Sequence, residues 1–285
     1  MANNAYNWYP GHMTKARRAM EEDIKLVDLL IELLDARCPL ATRNPDIDKL
    51  GQGKARLVLL NKSDLADPRT NDEWLDYFKN LGITAVILNA QRGEGMKQIN
   101  AAVRDACQEK IERNRKKGIL NRPMRAMVVG IPNVGKSTFI NSYAKRAVAK
   151  TGNKPGVTKG KQWIRLSKQL ELLDTPGILW PKIDDREAGF SLAMIGSMND
   201  EILNIDDMCR EFLDMMKKKH SDILFEKYDI TEEMGLEESL VAVAKRRNAL
   251  KGGGLPDLDK AVRFLIDDFR SGKLGRISLE SPKKR

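Results

Sequence analysis

The sequence predicts an α/β domain with a mostly parallel sheet over residues 1–184, followed by an all-helical domain over residues 185–285. Three observations carry that division. The glycine-rich stretch Gly130-Ile131-Pro132-Asn133-Val134-Gly135-Lys136-Ser137-Thr138 stands between an apolar run at 127–129 and a helical pattern that places Phe139, Ile140 and Tyr143 on one side. Up to Pro181, short apolar runs alternate with amphipathic stretches. Beyond it nearly everything reads helical, in four stretches at 187–199, 206–220, 236–249 and 257–271.

The elements follow in order. Residues 13–25 carry a helical pattern in which Lys15, Arg17 and Arg18 precede Glu21, Glu22 and Asp23. That order opposes the helix dipole, so the basic residues are kept for a partner. Residues 27–34 are apolar apart from Asp28 and Glu32 and read as a strand entering Asp35-Ala36-Arg37. A helix continued to Leu34 competes with this reading. A strand at 56–60 delivers Asn61-Lys62-Ser63-Asp64. Asn71 or Asp72 is expected to cap a helix through Trp74, Tyr77 and Phe78 that ends at Gly82. A strand at 83–88 then delivers Asn89-Ala90. Residues 96–117 read as one long amphipathic helix, with Ile99, Val103, Cys107 and Ile111 on one face. Its tail holds Lys110, Arg113, Arg115, Lys116 and Lys117.

Residues 118–123 punctuate the chain before the glycine-rich unit. After the loop's helix, Gly152, Pro155, Gly156 and Gly160 mark a flexible basic segment. Residues 163–166 and 170–173 pair as strands, the second ending in Asp174-Thr175-Pro176-Gly177. Strand–helix alternation with polar loops at strand ends implies a parallel sheet covered on both faces. The helical domain presents Lys217, Lys218, Lys219, Lys245, Arg246 and Arg247. Its tail, Ser281-Pro282-Lys283-Lys284-Arg285, is expected to be disordered.

Composition narrows the class. The 285 residues suffice for a core without staples. Cys38, Cys107 and Cys209 are widely spaced and odd in number, which fits neither a disulfide framework nor a metal site and suits a reducing compartment. No apolar run nears the ~18 residues of a membrane span, and the N-terminus lacks the apolar core of a signal peptide. A cytoplasmic protein without a membrane partner is expected, and a monomer. Fifty Lys and Arg against 40 Asp and Glu leave a net charge of +10, which favours a polyanionic partner.

The glycine-rich stretch fits G-x-x-x-x-G-K-[ST] in the strand–turn–helix context that makes it a phosphate loop. Backbone N–H groups from Asn133 to Thr138 face the phosphates. Lys136 reaches the β- and γ-phosphates, where it also serves catalysis, and the Ser137 hydroxyl sits on Mg²⁺. Asn61-Lys62-Ser63-Asp64 fits N-K-x-D. An Asp64 carboxylate accepts from both N1–H and N2–H of guanine, a donor pair adenine lacks. Asn61 either bonds the base edge or ties loops together, the Lys62 stem lies over the ring, and the N–H of Ala90, after Asn89, approaches the guanine O6. Asp174 is placed to hold Mg²⁺ and Gly177 to contact the γ-phosphate. Thr158 is placed to complete the Mg²⁺ shell, the alternative being a surface loop threonine.

Motif order is unusual. Base-reading residues precede the phosphate loop, the reverse of the common GTPase order, so either the matches are accidental or the domain is circularly permuted. Together with Trp8-Tyr9-Pro10-Gly11-His12-Met13, Lys15-Ala16 and Asp35-Ala36-Arg37-Cys38-Pro39, these motifs make the whole chain resemble the circularly permuted GTPases that assist ribosome assembly. The likeness is greatest to the bacterial branch acting late on the large (50S) subunit. The resemblance implies a permuted G domain, a C-terminal RNA-contacting helical domain, and GTP hydrolysis that is slow alone and stimulated by the subunit. Asn89 stands where a serine is common and Gln91 where a lysine often stacks, which leaves guanine recognition intact in outline and open to weakening.

Ile178 follows D-x-x-G where many relatives carry a water-orienting glutamine, so help must come from elsewhere. His12 is the first candidate, the resemblance assigning its counterpart to catalysis on the ribosome; a role in rRNA or loop packing competes. His220, after a lysine triplet, reads as solvated surface or an RNA contact. Asn133 either binds K⁺ beside the phosphates, as in related GTPases with this asparagine, or stabilises its own turn. The leading reading is a GTP switch that binds the maturing large subunit, its rRNA and some ribosomal proteins, and leaves after hydrolysis. The alternatives are a GTP-dependent scaffold or regulator of a non-ribosomal complex, and a GTPase of tRNA modification.

Overall fold

The computed structural model describes residues 13–151, 163–173, 185–198, 200 and 203–282. Helix α1 (Met13–Leu26) leads into strand β1 (Leu29–Asp35), which settles the competition over residues 27–34 in favour of a strand. Every residue of β1 is buried, because it lies in the middle of the sheet. That is why the run lacks the apolar–polar alternation of a half-exposed strand. Two short helices, α2 (Pro39–Thr42) and α3 (Asp46–Leu50), follow, then β2 (Ala55–Asn61), α4 (Pro68–Asn80) and β3 (Thr84–Ile87). The chain continues through α5 (Ile99–Ala106), α6 (Gln108–Lys116), β4 (Met124–Val129), α7 (Lys136–Thr151), β5 (Trp163–Arg165) and β6 (Leu170–Leu173).

The six strands form one sheet in the order β3-β2-β1-β4-β6-β5, parallel except for the terminal pair of β5 and β6. Leu34 aligns with Leu60, and Ile31 with both Leu57 and Val128. One face carries Leu30, Leu34, Val58, Leu60, Met127 and Val129, covered by Met20 and Ile24 of α1, Ile47 of α3, and Trp74 and Phe78 of α4. Glu32, also on that face and 2% exposed, is paired by Arg43 at 3.3 Å and by Arg56. Both arginines also reach Asp48, so the buried carboxylate is neutralised by a small ionic cluster. Helix α5 covers the other face at β2 and β3. The Tyr143 hydroxyl of α7 donates to Asn100 Oδ1 at 2.9 Å, joining the two helices.

Three local expectations are corrected. Asp67, not Asn71 or Asp72, caps α4, accepting from Thr70 N at 2.8 Å, with Pro68 at the first helical position. The expected helix over 96–117 is broken: a 3₁₀ turn spans Met96–Gln98, and Cys107, with ψ near 12°, ends α5 and starts α6. Cys107 is buried, so the chain bends to keep the apolar face of α5 against the sheet while the charged α6 leaves it.

A second compact unit holds residues 185–277. It contains α8 (Arg186–Met194), α9 (Ile205–Lys219), α10 (Ser221–Tyr228), α11 (Leu236–Arg246) and α12 (Leu258–Arg270). Helix α10 has no counterpart among the expected stretches, the third correction. It is only eight residues long, and its two buried side chains, Leu224 and Tyr228, give too short an apolar pattern. Phe212 and Phe269 meet at 5.1 Å in the core of this unit. Arg270 forks onto Asp200 at 2.7 and 2.8 Å and also donates to the carbonyls of Ala193 and Met194, closing the C-terminus of α8. Residues 278–282 return to the sheet unit. Within the described residues no helix is long and apolar enough to cross a membrane.

Candidate guanine-nucleotide site

Four parallel strands end at one edge of the sheet: β1 at Asp35, β2 at Asn61, β3 before Asn89, and β4 before the phosphate loop. Loops at the carboxyl ends of parallel strands are where such sheets bind ligands. The phosphate loop needs its glycines for space. A Cβ on Gly130 would lie 2.6 Å from Leu33 O, and one on Gly135, at φ +100°, would lie 2.5 Å from Asn61 Nδ2. Asn133 takes φ +64° and is exposed, with exposed Ser137 and Thr138 in the first turn of α7 and Val134 buried beneath. Lys136 Nζ donates to the carbonyls of Gly130 and Ile131 at 2.8 and 2.6 Å. Burial brings its pKa down to about 8. An ammonium so placed, beside a helix N-terminus, gains its best partner when an anion arrives.

The Asn61 amide ties loops together, one of its two expected roles. Nδ2 donates to Val134 O at 2.7 Å, and Oδ1 accepts from Ala90 N at 2.9 Å. One side chain therefore joins the phosphate loop, N-K-x-D and the loop after β3. The Ala90 N–H, expected at the guanine O6, is engaged by this bond, so a base oxygen would share or displace it. Asn89 Oδ1 accepts from Arg92 N at 3.0 Å and its backbone bridges to Glu94, which shapes that loop. Ser63 N donates to Leu88 O, and Ser63 O accepts from Asn71 Nδ2, so N-K-x-D is held from both sides. Asp64 stands in the turn that follows, partly exposed.

Sequence reasoning quoted Asp35-Ala36-Arg37 but gave it no role. Asp35 is fully buried, and its carboxylate binds Arg37 Nε at 2.9 Å, Arg37 Nη2 at 2.8 Å and Lys62 Nζ at 3.0 Å. Burial pushes its pKa up, but the Arg37 and Lys62 cations outweigh this and hold it far below the usual carboxylate range. The backbone of Arg37 is held in turn by the chain's end: Leu279 N and Glu280 N donate to Arg37 O at 2.8 and 3.2 Å. The Glu280 carboxylate accepts from Leu40 N and Ala41 N at the start of α2, and Ser278 Oγ accepts from Asp67 N. No local signal in the sequence points to this return.

His12, Thr158, Asp174, Gly177 and Ile178 lie outside the described residues. His220 stands at the junction of α9 and α10, its N–H bonded to Met216 O. Of the basic residues, Arg113, Arg115, Lys116 and Lys117 on and after α6 are exposed, as are Lys218, Lys219, Lys245 and Arg246 in the helical unit.

The family model described as a 50S ribosome-binding GTPase matches residues 125–244. A ribosome biogenesis GTPase A of Bacillus cereus is 48% identical over 278 residues, covering 97% of this chain and 94% of that protein. Its namesake in Priestia megaterium is 47% identical, with 96% of each chain covered. The solved structure of GNP-bound YlqF from T. maritima aligns with a TM-score of 0.65 and 30% identity, covering 95% of this chain and all of that one. With 48% and 47% identity over nearly the full length of both chains, the chain belongs to the ribosome biogenesis GTPase A family.

Proposed function

We propose that the chain binds and hydrolyses GTP and couples hydrolysis to late assembly of the large ribosomal subunit, binding its precursor in the GTP state and leaving as GDP forms. The single observation that carries the reading is Asn61, which locks the base-reading loop to the phosphate loop at one sheet edge. We read the domain as circularly permuted, since N-K-x-D on β2 precedes the phosphate loop after β4. Asp64 reads guanine, and Asn133 to Thr138 receive the phosphates. Lys136 leaves the loop carbonyls for the β- and γ-phosphates, supplying positive charge where it develops.

Ser137, exposed in the first turn of α7, with Thr158 and Asp174, would hold Mg²⁺. Hydroxyl and carboxylate oxygens suit that hard cation, which would neutralise phosphate charge. Asn133, exposed beside the loop, is the candidate K⁺ ligand, and His12 the candidate for orienting water. The names of the relatives support the ribosomal partner. The exposed cations of α6 and of the helical unit are suited to rRNA backbone, a salt-dependent attachment that reads shape more than sequence. Three buried free thiols suit a reducing cytoplasm.

Co-sedimentation with ribosomal subunits tests the partner. GTP-loaded protein is expected in the large-subunit fraction at low salt and reduced there at high salt. Absence at both salts sinks the ribosomal reading and favours a scaffold for another complex. His12→Ala is expected to retain binding and lose subunit-stimulated hydrolysis; full stimulated activity removes the residue from catalysis. An unchanged rate when Na⁺ replaces K⁺ disposes of the K⁺ site.

A further inference from the structure

A contact between Asp35 and Lys62 joins the end of β1 to N-K-x-D. Lys62 sits at φ +58°, a left-handed backbone that non-glycine residues seldom adopt. That turn aims its side chain back at β1, where Nζ meets Asp35 Oδ2 at 3.0 Å. Asp35 cannot follow a moving lysine. Its oxygens also take Arg37 N, Nε and Nη2, its own N–H donates to Thr42 Oγ1, and the carboxylate is wholly buried. Lys62 is 26% exposed, so part of its side chain stays open while its ammonium is fixed. A free lysine side chain keeps several rotatable bonds; one tethered at both ends presents its methylenes as a fixed apolar strip.

We infer that Asp35 is a positioning residue for nucleotide binding, anchoring the Lys62 ammonium so that the lysine stem is preset as the platform for the guanine ring. This rests on reading Asn61–Asp64 as the base site. The anchor acts on the base, not on the phosphates, and binding then orders fewer bonds.

The test is equilibrium binding of GDP and GTP to the full chain, comparing Asp35→Asn, Lys62→Met, Lys62→Ala and the double variant Asp35→Asn with Lys62→Ala. Lys62→Met keeps an unbranched stem without the anchor, and leaves the Asp35–Arg37 pair intact should Asp35→Asn fold poorly. Lys62→Met and Asp35→Asn are each expected to weaken GDP binding by about tenfold, with the double variant no weaker than Lys62→Ala alone. The loss should be equal for GDP and GTP, since both carry the same base. Wild-type affinity in Lys62→Met, additive losses in the double variant, or a loss that grows with the extra phosphate would each overturn the anchor. Failure of the wild-type chain to bind either nucleotide would instead overturn the base site itself, and the anchor with it.

Discussion

Asn61 donates its side-chain amide to the Val134 carbonyl at 2.7 Å, across 73 positions of chain. The bond makes the N-K-x-D loop and the phosphate loop one object. Asn61→Ala removes it together with the Ala90 contact, leaving a buried carbonyl and N–H unpaired. A stability loss of about 1–3 kcal/mol is expected by thermal or denaturant unfolding. GDP affinity should fall further than stability, because both loops lose register. Unchanged GDP binding would show that the loops hold their places without Asn61.

Lys136 is expected to make nucleotide binding sensitive to mild alkali. Burial sets its pKa at about 8 in the free protein, against an ordinary value of 10.5, and phosphates raise it again on binding. Below about pH 8 the ammonium is present before binding; above it, binding must take up a proton. GDP affinity is therefore expected to fall by up to about tenfold per pH unit above that point. Without nucleotide the sign reverses: the unfolded chain binds more protons between about 8 and 10.5, so folding stability rises with pH across that window. Titration of a fluorescent GDP analogue should show the falling limb in the wild type and lose it in Lys136→Arg, whose charge does not titrate.

Glu280 holds the first turn of α2 through Leu40 N and Ala41 N at 2.8 and 2.9 Å. Glu280→Ala strips both donors of a charged acceptor and is expected to cost about 1–2 kcal/mol in unfolding measurements. Amide exchange should quicken at Leu40 and Ala41 first. Exchange unchanged at those two N–H groups would dismiss the contact.

In the helical unit, Tyr228 donates to the buried Asp268 at 2.6 Å. Arg247 and Lys273 stand 3.3 and 3.6 Å from the same carboxylate. Tyr228→Phe keeps the ring's packing and removes only the donor. A loss of about 1–3 kcal/mol is expected, with GDP binding unaffected. A melting curve superimposable on the wild type would mean the two cations satisfy Asp268 alone.

The sequence exposed what is local. The phosphate loop is contiguous, and its glycines answer to close neighbours: an added Cβ would fall 2.6 Å from Leu33 O at Gly130 and 2.5 Å from Asn61 Nδ2 at Gly135. N-K-x-D and the apolar runs of β1, β2, β3 and β4 were legible for the same reason, each a short pattern with one physical cause. What stayed hidden is long-range or balanced. Asp35 carries no mark that distinguishes a buried anchor from a surface acid, and Glu280 meets Leu40 240 positions away. Cys107 continues the apolar spacing of α5 while its backbone breaks the helix, since period alone does not record where the sheet ends. Asp67 and Asn71 or Asp72 are all short polar residues that can cap, and the Pro68 that follows Asp67 is what marks the true start of α4.

The return of residues 278–282 sets a timetable. A polypeptide emerges from its N-terminus, and its domains ordinarily fold as they are released. Here Arg37, α2 and Asp67 gain their contacts with Leu279, Glu280 and Ser278 only after residues 278–280 have been made. A nascent chain that stops short of them already holds N-K-x-D and the phosphate loop, yet lacks the brace behind Arg37. The brace is thus a contact between segments more than 200 positions apart, the kind a folding chain closes late.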